Sequence, residues 1–367
     1  MIGWGDVYKV VEAMLPLYTA LALGFASVRW WRMFTPEQSD AINKFVSCFA
    51  IPIFNLEFTL HIDPFAMNYR FIAADVVAKA ATVLVLVAWA ACGGAKQDLS
   101  WPVTSFSLSA LNNLLVVGVP LVRAMYGPPG QDLVVQSFVM QALVWLPLLL
   151  FALEYRKAVA NYTAASGDES GAVCIELPGE KAADGGGDGR AAEAGRVHLR
   201  RRPSSWAPMT VVLLKLSRNP NTYGSVLGMT WAAVANRWHL KLPAIVEGSV
   251  LIMSRAGAGM AMFSMGLFMA NQEKLIACGP GLTAYAVVLR FVAGPMAMAI
   301  GSIPVGLRGA VLRIAILQAA LPQAITSFVF AKEYGLHANV LSTAVIFGTL
   351  ASLPLLIAYY AILELRH

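Results

Sequence analysis

The sequence predicts an all-α integral membrane protein with about ten transmembrane helices in two inverted five-helix repeats. Composition is the first observation behind that reading. Of 367 residues, 58% are hydrophobic and 13% charged, with mean hydropathy +0.63, whereas soluble domains hold about a quarter charged residues. Lipid must therefore solvate much of the chain. Second, the apolar residues come in continuous helix-length runs, not in the short alternating segments of a β-barrel, the other architecture that satisfies its backbone in lipid. Third, a polar stretch divides the runs into two sets of five. An odd number before the divide makes the second set enter the membrane inverted.

In the first half the runs cover roughly 7–27, 41–60, 71–91, 101–125 and 133–153. No basic, cleavable leader pattern precedes the first, which is expected to stay as a spanning helix. The second opens on Thr35-Pro36-Glu37-Gln38, a cap residue, a proline at the first helical position and a glutamine able to close a capping box. In the second half the runs cover roughly 222–235, 243–270, 281–303, 310–330 and 338–363, the first of these being short. Residues 1–155 and 208–367 are thus expected to be the two membrane repeats, and 156–207 a loop. From about Asn161 to Ser205 the chain is rich in Gly, Ala, Asp, Glu and Arg, with too little apolar surface to repay ordering. Ten Lys and Arg fall between Arg156 and Arg218, which places the loop in the cytosol and both termini on the opposite face. Arg29 and Arg32 agree with that orientation; Arg237 and Lys241 do not.

The fourth and ninth runs point to a binding site. Leu111-Asn112-Asn113 leads through Gly118 and Pro120 to Tyr126-Gly127, and Leu321-Pro322-Gln323 leads through Thr326 and Ser327 to Tyr334-Gly335. Both are apolar helices interrupted near the middle by residues that disfavour helix. One such break is most simply a kink in a packed helix. Two at matching positions favour half-helix N-termini meeting at a cavity, a site for an anion such as a carboxylate. Asn112, Asn113 and Gln323 would add side-chain amides. Ionisable residues inside the runs are costly. Asp75 and Lys79 stand four apart on one helix face, either as a self-neutralising pair or as support for the neighbouring break. Arg290 occupies roughly the repeat-related position of Lys79, while Glu57 and Arg255 are further candidates, either a buried charge or a side chain snorkelling to an interface. Gln141 is a lone amide in an apolar run, most simply a helix–helix hydrogen bond. The small-residue stretch from Gly257 to Gly266 suits close helix packing. No nucleotide-binding, metal-ligand or nucleophile motif is present, and the four cysteines are scattered. An enzyme is excluded, and no cofactor or nucleic acid is implied.

Several strings are similar to one family. Asn219-Pro220-Asn221-Thr222-Tyr223, the stretch 256–270, Leu317 to Gln323, Phe330 to Tyr334, Thr35 to Gln38 and Ile42 to Val46 resemble the plant PIN-FORMED auxin efflux carriers. The resemblance covers everything but the loop. It implies a fold similar to sodium–proton antiporters and bile-acid transporters, with the fourth and ninth helices broken and crossing. It also implies a homodimer whose transport domains slide against a scaffold, and indole-3-acetic acid, carried as its carboxylate, as substrate. The contacts it implies fall on Asn112, Asn113 and Pro322, with a support site on Asp75, Lys79 and Gln141 and Asn55 close by. The short loop resembles members associated with the endoplasmic reticulum, and Arg201-Arg202-Pro203-Ser204 resembles a basophilic kinase site. Three positions depart from the pattern. Asn112-Asn113-Leu114 stands where Pro-Asn-Thr is usual, Ser327 where a second proline is common, and Arg255 where an acid is usual. A carrier of another organic acid and a non-transporting membrane receptor are the other readings.

Overall fold

The computed structural model describes residues 4–92, 99–167, 206–272, 274 and 276–365. Cys174, the Arg200–Arg202 cluster and the Arg201-Arg202-Pro203-Ser204 string lie outside the described residues.

The described chain is helical almost throughout. α1 is Trp4–Arg29 and α2 is Pro36–Leu60. The start of α2 is closed by the expected capping box, in which Thr35 Oγ1 accepts from the Gln38 N–H and Gln38 Oε1 accepts from the Thr35 N–H. α3 is Tyr69–Cys92 and α4 is Ser100–Ala110. Residues 114–126 form α5 and 128–167 form α6; these would be one helix but for Gly127, at φ 72° and ψ −166°, followed by Pro128 and Pro129. A positive φ at a glycine followed by two prolines ends one helix and starts the next. α6 continues to Gly167, past Asn161 where the composition turns polar. α7 is Trp206–Arg218, α8 Pro220–Trp238, α9 Ala244–Ala270 and α10 Pro280–Ser302. α11 is Gly309–Ala319, α12 Ile325–Glu333 and α13 Ala338–Leu365.

By length and composition, seven helical stretches among the described residues are able to cross a membrane. One of them, Leu114–Ala158, has 45 residues. As a straight helix it would be about 68 Å long, twice a hydrocarbon core, and the Gly127 turn resolves it into α5 and α6. α4 and α11, of 11 residues each, reach only about 16 Å, half a bilayer. Each runs on, after a short non-helical stretch, into a second half: α4 into α5 and α11 into α12.

The helices pack as two groups. In one, α1 lies along α9, and α2 against α8 and α9. Glycines allow this close approach: a Cβ on Gly24 would meet the Phe263 carbonyl, and one on Gly266 the Leu21 carbonyl. The small-residue stretch of α9 therefore serves packing, as expected, at Gly257 and Gly266, whereas Gly259 faces open space. In the other group α3 packs on α10, α10 on α11 and α13, and α12 on α13, with α4, α5 and α6 joined to them. α7 packs on α6. A cavity of about 720 Å³ lies between the two groups.

Candidate functional site

The two breaks meet. Residues Asn112 and Gln323 form an antiparallel β-bridge. The Asn113 N–H donates to the Pro322 carbonyl at 2.9 Å, and the Ala324 N–H to the Leu111 carbonyl at 3.3 Å. Two extended strands of a few residues thus cross and satisfy one another, which is how non-helical backbone survives at membrane depth. The Asn112 backbone is held besides by Gln141, whose Oε1 accepts from the Asn112 N–H at 2.9 Å and whose Nε2 donates to the Asn112 carbonyl at 2.8 Å.

The side chain of Asn112 is also spent within the protein. Its Nδ2 donates to the Gln318 carbonyl at 2.7 Å, and its Oδ1 accepts from Arg290. A proline at this position has neither an N–H nor an amide, so the chain breaks its fourth run by a different device from the usual proline: four hydrogen bonds hold Asn112 out of the helix. Ser327 acts similarly, its hydroxyl accepting from Gln323 Nε2 at 2.8 Å, while the same Nε2 donates to the Ser107 carbonyl.

Among the described residues Arg290 is the largest wholly buried side chain, and it lies beneath this crossing. Its Nε donates to the Leu321 carbonyl at 2.6 Å, and Nη1 donates to the Leu108 and Leu111 carbonyls at 3.0 and 3.2 Å. Nη2 donates to the Ala319 carbonyl at 2.9 Å and to Asn112 Oδ1. All five guanidinium N–H groups have acceptors, four of them carbonyls at or just past the ends of α4 and α11. Gly294, one helical turn on, lets α10 approach closely: a Cβ there would lie 2.8 Å from the Ser109 carbonyl. The sequence pattern singled out Arg290 only as a partner in position to Lys79. Gln141 and Arg290 both sit on π-helical turns, Gln141–Trp145 and Leu289–Ala293, a distortion common at functional sites that side-chain periodicity does not reveal.

Of the residues singled out in the sequence, Asn113, Asn112, Asn55 and Gln141 line the cavity. Asn113 is half-buried, and its amide makes no side-chain hydrogen bond among the described residues. Asn55 donates to Asn221 Oδ1 at 3.2 Å from the opposite wall. Pro322 is buried behind the crossing and contributes its carbonyl, not cavity wall. Asp75 and Lys79 form a buried ion pair at 2.9 Å, with Trp145 Nε1 donating to Asp75 at 3.2 Å and Lys79 over the Trp145 ring. Their hydrogen bonds run to each other and to α6, and none among the described residues reaches the breaks. Gln141, expected beside this pair, is bonded to Asn112 instead. Glu57 lies by Ser254 and His61 near the end of α2, and Arg255 is exposed.

The starts of α5 and α12 complete the wall. Neither has a side-chain cap, so the first N–H groups of both helices, at Leu114 and Leu115 and at Ile325 and Thr326, are free to face an anion. Around them the wall is apolar, with Ile51, Phe138, Met265 and Phe268. The volume suits a small aromatic molecule. The mouth is ringed by Asp40, Asn219, Gln272, Lys332 and Glu333, near α7.

A family described as membrane transport protein matches residues 9–360 of the chain. The chain belongs to that membrane transport protein family. It is a transporter and not an enzyme, and a multi-pass membrane protein. Among similar proteins, the probable auxin efflux carrier component 5a of Oryza sativa subsp. japonica is 60% identical, over 100% of this chain and 99% of its own. The auxin efflux carrier component 5 of Arabidopsis thaliana is 58% identical over the full length of both chains. Component 8 of the same plant is 38% identical, again over both full lengths. The resemblance read from short strings thus extends along the whole membrane transport protein.

Proposed function

We propose that this transporter exports auxin, as indole-3-acetate, from the cytosol. The observation that carries the proposal is the pair of uncapped helix starts, with the unpartnered Asn113 amide, facing an apolar cavity of about 720 Å³. The carboxylate would lie at the helix starts and Asn113, and the indole ring against Phe138 and Phe268. The names of its relatives agree with that cargo.

Ten membrane crossings are assigned to α1, α2, α3, α4–α5, α6, α8, α9, α10, α11–α12 and α13. The halves are inverted repeats, flanking the central segment at 156–207. Supporting this, both broken helices end on a tyrosine followed by a glycine of positive φ, Gly127 at 72° and Gly335 at 62°. The group of α1, α2, α8 and α9 is the scaffold, through which two copies pair. The other group carries the site across it as an elevator. The mouth lies on the cytosolic face, and the short central segment favours the endoplasmic reticulum membrane, with export into its lumen.

An anion leaving a negative compartment gains roughly 2.3 kcal/mol per 100 mV, so no coupling ion is required at a polarised membrane. Purified protein in liposomes should accumulate labelled indole-3-acetate saturably. Uptake no faster than in empty liposomes would falsify the proposal, and competition by a panel of carboxylates would reveal a different organic acid as cargo.

A further inference from the structure

Four helix ends meet at the crossing. Each helix end carries about half an elementary charge, positive at N-termini and negative at C-termini. α4 and α11 bring their C-termini and α5 and α12 their N-termini, so the four ends sum to about zero. Asp75 and Lys79 cancel each other. Glu154, buried farther along α6, is paired with Lys215. That leaves Arg290 at the crossing, and no carboxylate among the described residues pairs with it; its acceptors are four carbonyls and the Asn112 amide oxygen.

We propose that Arg290 is a positioning residue that sets the charge of the site: by neutralising the C-termini of α4 and α11, it leaves the N-termini of α5 and α12 unopposed and makes the cavity selective for a monoanion. Without Arg290, an anion held at the two helix starts would feel the carbonyl ends immediately behind them. With it, the crossing carries about one positive charge, matched by a single carboxylate. Arg290 does not itself line the cavity. A lysine would keep the charge but, with three donors, could make at most three of these five hydrogen bonds.

This inference rests on the proposed substrate, and its test separates the two. Binding of indole-3-acetate and of its uncharged isostere indole-3-acetamide is measured on purified wild type, Arg290→Lys and Arg290→Gln, with thermal stability recorded in parallel. Wild type should prefer the acetate by tenfold or more. Arg290→Gln should lose that preference while still binding the amide, and Arg290→Lys should retain it despite a lowered Tm. Equal loss of both ligands in Arg290→Gln, with Arg290→Lys behaving identically, would reduce the arginine to a structural clasp and overturn the proposal. If Arg290→Gln does not fold, wild type alone decides: equal affinity for acetate and amide overturns the charge selectivity. Binding of neither ligand to folded wild type instead overturns the substrate reading.

Discussion

The outcome at single residues depends on which polar atoms face the cavity and which face the protein. Asn112 and Asn113 are neighbours of one type, yet the first uses its backbone and side chain in hydrogen bonds to Gln141, Gln318 and Arg290, and the second leaves its amide to the cavity. Replacing them should therefore separate stability from binding. Gln141→Leu leaves a buried N–H and a buried carbonyl of Asn112 open, at a cost of about 2–4 kcal/mol. It should lower Tm in a thermal melt. Asn113→Ala should leave Tm nearly unchanged and raise the substrate KM by about tenfold, the worth of one hydrogen bond to a charged group. A large loss of stability in Asn113→Ala would show that its amide is structural after all. Both asparagines were legible in the sequence as helix-breaking amides. Their division of labour was not, because it depends on partners 29, 178 and 206 positions away in the chain. Arg290 was legible as a charge inside an apolar run; its five acceptors exist only once both breaks are assembled.

At the level of elements, two devices hold the helices around the site. Gly294 lets α10 touch the end of α4, and a methyl group there would meet the Ser109 carbonyl. Gly294→Ala should cost about 1–3 kcal/mol through overpacking and displace Arg290 from its acceptors, so Tm and substrate affinity should fall together. The second device is at the mouth. Lys215 on α7 lies 2.9 Å from Glu154 on α6 and 2.7 Å from Glu333 at the end of α12, and Tyr334 donates to Glu154 at 2.5 Å. Partial burial would lower the Lys215 pKa, but its hydrogen bonds to Glu333, Tyr334 and Glu154 outweigh this and hold it above the ordinary lysine range. A raised folded-state value stabilises the protein fully below the ordinary lysine pKa, and the contribution is lost as pH rises through the raised value. A spin label on α7 should therefore keep its low mobility from neutral pH up to the ordinary lysine range and gain mobility in Lys215→Met at pH 7. Element boundaries were read from the apolar runs to within a few residues for α3, α9 and α10. The longer α6 was not, since the composition turns polar at Asn161 while the helix persists to Gly167. Composition reports solvation, and a helix can continue into water.

Across the whole molecule, the division into two packed groups with the cavity between them was not readable from hydropathy, which registers lipid exposure and not which helices share a core. The interrupted fourth and ninth runs did foretell the meeting of the breaks, because unsatisfied backbone at membrane depth needs a partner and each break is the other's nearest supply. The same geometry makes the sliding of one group past the other testable. A cysteine pair joining α9 to α5 across the seam should trap the transporter on oxidation and restore flux on reduction; unchanged flux with complete cross-linking would contradict an elevator.

The central claim, that the cavity at the crossed breaks carries an organic anion, is tested most directly by auxin-induced current on a solid-supported membrane. Wild type should give a saturable current that Asn113→Ala shifts to higher substrate concentration. Folded wild-type protein without current, or a variant indistinguishable from it, would contradict the account.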